Sequence, residues 1–312
     1  MSEESNKHLE KMKDYLEQKK RLISFMCRAN QWDGLTESKI NGWLNNFHDI
    51  EGQYYALKIL NNCIYYSEND VIDLLRYGFY DLILATEIKK EIIKKKSITE
   101  TPSIIDAQMR ALRDKTLFLP LLDSGKPHES GLQFIRYLVQ NQIINDSQTS
   151  FPGKLTAAQL DQYKIIVIVD DCIGSGQQIS DYWDSSELRT VKKLAEGKGI
   201  IFYYLALVGY RERIDAIKGA LTGLKVIVCE ALTHRHRVFE KESIYWGEAD
   251  ELENAKKYFS DIQRIRGVKM LGHDSLDFAV IIHRNVPDWS LPIFWMKGTD
   301  WNVLLERKNS HV

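Results

Sequence analysis

The sequence predicts an α/β protein in which an all-helical domain precedes a mostly parallel, open sheet. Three observations carry this. None of the six prolines occurs before Pro102, so the first third of the chain lacks the residue that most strongly interrupts helices. In that third the apolar residues recur at helical spacing. Beyond Lys115 they gather into short runs separated by amphipathic segments. The boundary falls at residues 99–103, which predicts a helical amino-terminal domain over 1–112 and an α/β domain over 113–312.

Helices are expected from about residue 9 to residue 98. Trp32, Trp43, Leu44 and Phe47 supply large anchors between helices, and Tyr54, Leu57, Leu60, Cys63 and Ile64 form an apolar stripe. A bundle core explains such stripes better than a ligand groove does. Ile72, Leu75 and Phe79 mark another helix, where the Ser67 hydroxyl and the Asp70 carboxylate can cap the first turn reciprocally. Lys89, Lys90, Lys94, Lys95 and Lys96 form the most basic run; with Glu87 and Glu91 among them it reads as a solvated helix end rather than a nucleic-acid site. A further helix reaches about Arg113.

The α/β region opens with a strand at 116–122, a loop of Asp123, Ser124, Gly125, Lys126 and Pro127, and a helix at 129–144. The strand at 164–169 contains an unbroken aliphatic run, as expected where both faces are covered. A helix at 177–194, a strand at 199–208, a helix at 210–221 and a strand at 224–232 follow. This alternation predicts helices on both faces and ligands at the carboxyl ends of the strands. Residues 248–266 read as a helix and 277–283 as a strand.

At 312 residues and 44% hydrophobic content the chain can bury a sizeable core. Its 42 Lys and Arg against 43 Asp and Glu argue against a surface that wraps a polyanion, so contact with nucleic acid is expected to be local or through a partner. The four cysteines are far apart and include no C-x-x-C, so neither a zinc site nor a small disulfide scaffold is suggested, and reduced, mostly buried thiols are expected. No secretory signal and no apolar stretch of about 18 residues is visible in the sequence, so a cytoplasmic location without membrane contact is expected.

The strongest chemical signal is the stretch 165–178. An apolar strand delivers Asp170 and Asp171 at its carboxyl end, and a turn of Cys172, Ile173, Gly174, Ser175 and Gly176 opens a helix at Gln177 and Gln178. The glycines let backbone amides approach an anion, and Ser175 adds a hydroxyl donor, which suits a phosphate monoester. The carboxylates would repel that phosphate; they suit sugar hydroxyls, or a hydrated Mg²⁺ escorting a pyrophosphate. A Walker A partner is absent because Gly125 and Lys126 are followed by Pro127, and no third glycine completes a dinucleotide fingerprint. A turn that binds nothing is disfavoured, since two adjacent acids there would have no structural purpose.

This stretch resembles the phosphoribosyl-pyrophosphate (PRPP) signature of type I phosphoribosyltransferases. The resemblance implies that Asp170 and Asp171 contact ribose hydroxyls and that Ile173, Gly174, Ser175, Gly176, Gln177 and Gln178 cradle the 5′-phosphate. It also implies that Asp123, Ser124, Gly125 and Lys126 form a pyrophosphate loop, that Mg²⁺ accompanies the ligand through Asp170 and Asp171, and that residues 232–312 supply a hood subdomain over the sugar. Two departures stand out. Gln178 replaces the usual Thr, and Gly174 stands where salvage enzymes carry an acid that assists proton transfer.

The likeness extends to the phosphoribosyltransferase-like composite-effector family of bacterial conflict systems, through Trp43, Leu44, Asn45, Asn46 and Phe47, Tyr54 to Leu57, and a late block from Leu271, Gly272 and His273 to Trp295. That likeness implies an antiphage effector or toxin of the retron type that binds PRPP or a nucleotide and works with an operon partner such as a reverse transcriptase complex, or as a homo-oligomer. Its chemistry would be phosphoribosyl transfer or cleavage of a nucleotide N-glycosidic bond. A non-catalytic nucleotide-sensing or assembly module and a base-salvage phosphoribosyltransferase remain as alternatives. His234, Arg235 and His236 follow the last core strand and offer donors to a base or phosphate, or simply solvate a loop.

Overall fold

The computed structural model describes residues 3–95, 101–122 and 130–307. Helix α1 (Glu3–Arg28) is followed by α2 (Glu37–Leu44), whose first turn is capped by Thr36, and by α3 (Ile50–Asn61), whose first turn is capped by Asp49. Strand β1 (Ile64–Tyr66) leads into α4 (Glu68–Tyr77), a π-helical stretch Gly78–Leu84 and α5 (Ala85–Lys95). Helix α6 (Pro102–Asp114) carries its proline in the first turn, where the missing N–H costs nothing. Strand β2 (Thr116–Pro120), helix α7 (Ser130–Gln140) and the single turn α8 (Ala157–Leu160) precede β3 (Ile165–Ile173). Then come α9 (Gln177–Trp183), α10 (Ser186–Ala195), β4 (Ile201–Tyr210), α11 (Arg211–Ala220) and β5 (Leu224–Leu232). Helix α12 (Ala249–Arg266) and β6 (Val280–Ile282) close the series.

The chain forms two compact units, Met1–Asn69 with Thr233–Val312, and Asp70–Leu232. The sequence placed its division at residue 112 instead. The difference has a physical cause at each end. In the first unit β1 pairs in parallel with β6, Ile64 against Val280, so the amino-terminal helices share a core with the carboxyl-terminal segment. Trp43, Phe47, Phe259, Phe294 and Trp301 are members of that core. The stretch expected as a hood is thus the other half of the helical unit. Ile64, expected in a helical stripe, instead begins the short strand β1.

The second unit is an α/β layer structure. Strands β2, β3, β4 and β5 lie in that order, all parallel, with Thr116 opposite Ile165, Ile165 opposite Ile201 and Phe202 opposite Leu224. One face buries Leu117, Leu119, Ile166, Ile168 and Tyr204 against Ile179, Trp183, Leu188, Val191, Ile214 and Ile217 of α9, α10 and α11. On the other face the Phe79 ring meets Phe118 edge-on at 4.8 Å. Gly78 is required there: a Cβ would fall 2.6 Å from Leu205 Cδ1 and 2.8 Å from Cys229 Sγ. Helices therefore cover both faces, as the aliphatic run implied. The expected helix at 177–194 is two helices, because the Ser185 hydroxyl accepts the Leu188 amide and starts α10 afresh. The four cysteines are free.

On the same face Glu87 accepts the Tyr203 hydroxyl, the Lys225 ammonium at 2.8 Å and the Lys90 ammonium at 2.7 Å. Burial opposes ionisation there, yet the bonds from Lys225, Lys90 and Tyr203 prevail and pull the carboxyl down to about 2. Its stabilising contribution is therefore complete above about 4.5, the ordinary glutamate value, and is lost as the pH falls toward 2. Both lysines keep much of their surface in water, so Glu87→Gln is expected to cost roughly 1–2 kcal/mol at neutral pH. Urea midpoints measured across pH should show that the difference from wild type shrinks in acid.

Candidate functional site

Strand β3 does not end at Val169. It runs on through Asp170, Asp171, Cys172 and Ile173, with Asp170 opposite Ala206 and Ile173 opposite Gly209 of β4. The acids are thus held by the sheet itself. Successive side chains of a strand point to opposite faces, and the two acids differ accordingly. Asp170 is 2% exposed and accepts the hydroxyl of buried Tyr204 at 3.0 Å. Asp171 is half-buried.

Burial, and next the charge of Asp171, push the Asp170 carboxyl well above the ordinary carboxylate range. The folded chain thus holds a proton that the unfolded chain releases. Asp170 contributes fully to stability only below its ordinary value of 3.8, and that contribution is lost as the pH rises through the raised one. The Tyr204 hydroxyl nevertheless ties Asp170 into the sheet through its 3.0 Å bond to Oδ2. The buried acid therefore has a structural partner, contrary to the expectation that two adjacent acids would have none.

The turn after the strand is built from small residues for identifiable reasons. Gly176 sits at φ +81°, where L side chains are strained, and a Cβ there would lie 2.3 Å from Ile217 Cδ1. Ser175 Oγ accepts the Gln177 amide at 3.2 Å, which leaves the hydroxyl proton for another acceptor. Gln177 and Gln178 are exposed, with Gln177 Nε2 donating to Asp181 at 2.6 Å. Gly174 is buried, and Ile173 is a core side chain, its Cβ 3.0 Å from where a Gly209 Cβ would stand. Only the backbone of Ile173 is left to face a ligand.

Of the remaining expected residues, only the set after β5 falls among the described ones. Asp123, Ser124, Gly125 and Lys126 lie outside the described residues. His234, Arg235 and His236 form a tight turn in the first unit. The His236 ring accepts the Thr233 amide at 3.1 Å and His234 Nε2 lies 3.2 Å from Glu242, so both imidazoles are engaged within that unit. Arg235 is exposed. The donor set does not fit a cation held directly by both acids, since buried Asp170 is committed to Tyr204.

The residue that sequence reasoning missed is Tyr204. Its signal was present: a tyrosine in an apolar strand must find a partner for its hydroxyl when buried. In the first unit, Asp33, Glu68 and His283 bring possible ligand atoms within 4.8 Å of one another. The Asp33 oxygens there already accept from Tyr65, the Glu68 amide and His283 Nδ1, each at 2.9 Å, and the cluster is a hydrogen-bonded staple. Among the described residues no helix is long and apolar enough to cross a membrane.

Comparisons with known proteins follow from this geometry. A family model described as PRTase-CE matches residues 40–307. No curated protein matches the chain. Among solved structures, an orotate phosphoribosyltransferase from Aeropyrum pernix is 18% identical with a TM-score of 0.25, over 39% of this chain and 64% of that one. The AQ2163 protein from Aquifex aeolicus is 12% identical with a TM-score of 0.28, over 60% of this chain and 85% of that one.

Proposed function

The chain belongs to the PRTase-CE family of phosphoribosyltransferase-like composite effectors, and on that premise we propose that it binds a phosphorylated ribose, as PRPP or a nucleotide, at the turn between β3 and α9. One observation carries the reading: a half-buried carboxylate, Asp171, and a glycine-serine-glycine turn lie within a few residues at the carboxyl end of a central parallel strand. The turn suits the 5′-phosphate, with the Ser175 hydroxyl as a donor. Asp171 suits the sugar hydroxyls as an acceptor.

A second reading, binding without turnover, draws on Gly174, which stands where salvage enzymes carry a proton-transferring acid, and on the burial of Asp170. From the family we further propose an effector role in bacterial antiphage defence, with a protein partner encoded beside it. Calorimetric titration of the full chain with PRPP, ribose 5-phosphate and a nucleotide panel, with and without magnesium, tests the site. Micromolar binding is expected, and Asp171→Asn should weaken it by about tenfold or more, roughly 1.4 kcal/mol. Chromatography of the same mixtures separates turnover from binding alone. If none of these ligands binds, the reading fails.

A further inference from the structure

Helix α1 buries Met12, Leu16 and Ile23 on one side, while on the other Leu22 and Phe25 are 44% and 60% exposed. With exposed Gln18 and Ala29 they make a row at residues 18, 22, 25 and 29, the alternating spacing of four and three by which one helix lies along another. We propose that this face docks against the same face of a second copy of the chain. The two α1 helices run antiparallel, with Leu22 of each copy against Phe25 of the other. The order of charges along α1 chooses this occupant. Glu17 and Arg28, 66% and 73% exposed, lie three helical turns apart on one flank of the row. In a parallel pair each would face its own kind. In the antiparallel pair Glu17 of one copy comes within ~3 Å, along the axis, of the level of Arg28 of the other, and the twofold axis makes that contact twice. Within its own chain Glu17 accepts from Arg21, and Arg28 Nε lies 3.3 Å from Glu37. These exposed pairs are weak and leave the patch neutral, which disfavours a polyanion and suits a face of the same make-up. Two large apolar side chains per copy make a contact below about 1,200 Å², the size of weak and reversible interfaces.

Sedimentation equilibrium of the full chain tests this. Between about 10 and 500 µM the wild-type mass should rise from that of one chain toward that of two, as a weak interface requires. Phe25→Ser empties the centre of the contact at an exposed position and should raise the dissociation constant about tenfold or more. Glu17→Arg and Arg28→Glu should each weaken association roughly 3–10-fold, because each sets like charges together at both contacts. Combined, they restore opposite charges between the copies and should return association to within about twofold of wild type. Inside one chain the same combination sets like charges beside Arg21 and beside Glu37, so recovery can come only from the contact between copies. A melting curve for each variant establishes folding. A wild-type mass of one chain at every concentration overturns the proposal, as does a mass that rises only when single-stranded DNA is added. Association that survives Phe25→Ser unchanged, or that the combined charge exchange fails to recover, overturns it too.

Discussion

Trp43→Ala is expected to lower the stability of the first unit by about 3–5 kcal/mol, the ordinary cost of emptying a large aromatic site. Trp43 is fully buried, its ring 5.2 Å from that of Phe47 and 5.7 Å from that of Phe294. Its indole N–H donates to the Ile293 carbonyl at 2.7 Å, and Trp301 donates to the same carbonyl at 3.3 Å. That carbonyl therefore keeps a partner when Trp43 is removed, and the cavity dominates the loss. Trp43→Phe separates the two effects, because it retains most of the volume and deletes only the donor. Urea denaturation followed by tryptophan fluorescence should place Trp43→Phe much nearer to wild type than Trp43→Ala. Equal losses would mean that the hydrogen bond matters more than the packing.

Gly176→Val is expected to cost roughly 2–4 kcal/mol and to abolish ligand binding. Two costs combine: holding an L side chain at positive φ, and forcing it into Ile217. Ile217 is 5% exposed and its Cδ1 is the far end of a side chain, so it can yield in part. A double-mutant cycle separates the costs. Ile217→Ala is destabilising alone, but combined with Gly176→Val it should recover about 1 kcal/mol relative to additivity, which is the steric share. The remainder is backbone strain that no change at Ile217 relieves. Strict additivity in the cycle would show that the two residues do not contend for the same space.

The sheet was legible in the sequence because its strands are aliphatic runs. Residues 165–169 could be assigned without knowing any partner, and residues 224–232 were placed to the residue. What escaped was non-local. Ile64, Tyr65 and Tyr66 are too few to signal a strand, and their partner lies more than two hundred residues later. The burial of Asp170 depends on Tyr204, which belongs to a neighbouring strand. Local cues were also passed over. Ser185 three residues before Leu188 is a helix-start signal inside a stretch expected to be one helix, and apolar Ile173 beyond the acids showed that the strand continues. In the candidate site the position of the turn was readable, while the unequal standing of its two acids required the neighbouring strand.

The pairing of β1 with β6 sets an order of events during synthesis. At roughly 5–20 residues per second, β6 leaves the ribosome roughly 10–40 s after β1. Asp70–Leu232 is contiguous and has all four of its strands before the first residue of β6 is made. Through that interval Trp43, Phe47 and Leu57 lack the Ile281 and Phe294 side chains with which they share a core. The nascent chain thus carries a completed sheet behind an unfinished helical segment, and that segment is the part chaperones and proteases meet. A premature stop between residues 233 and 279 would leave the α/β unit whole and the helical unit without its partner strand.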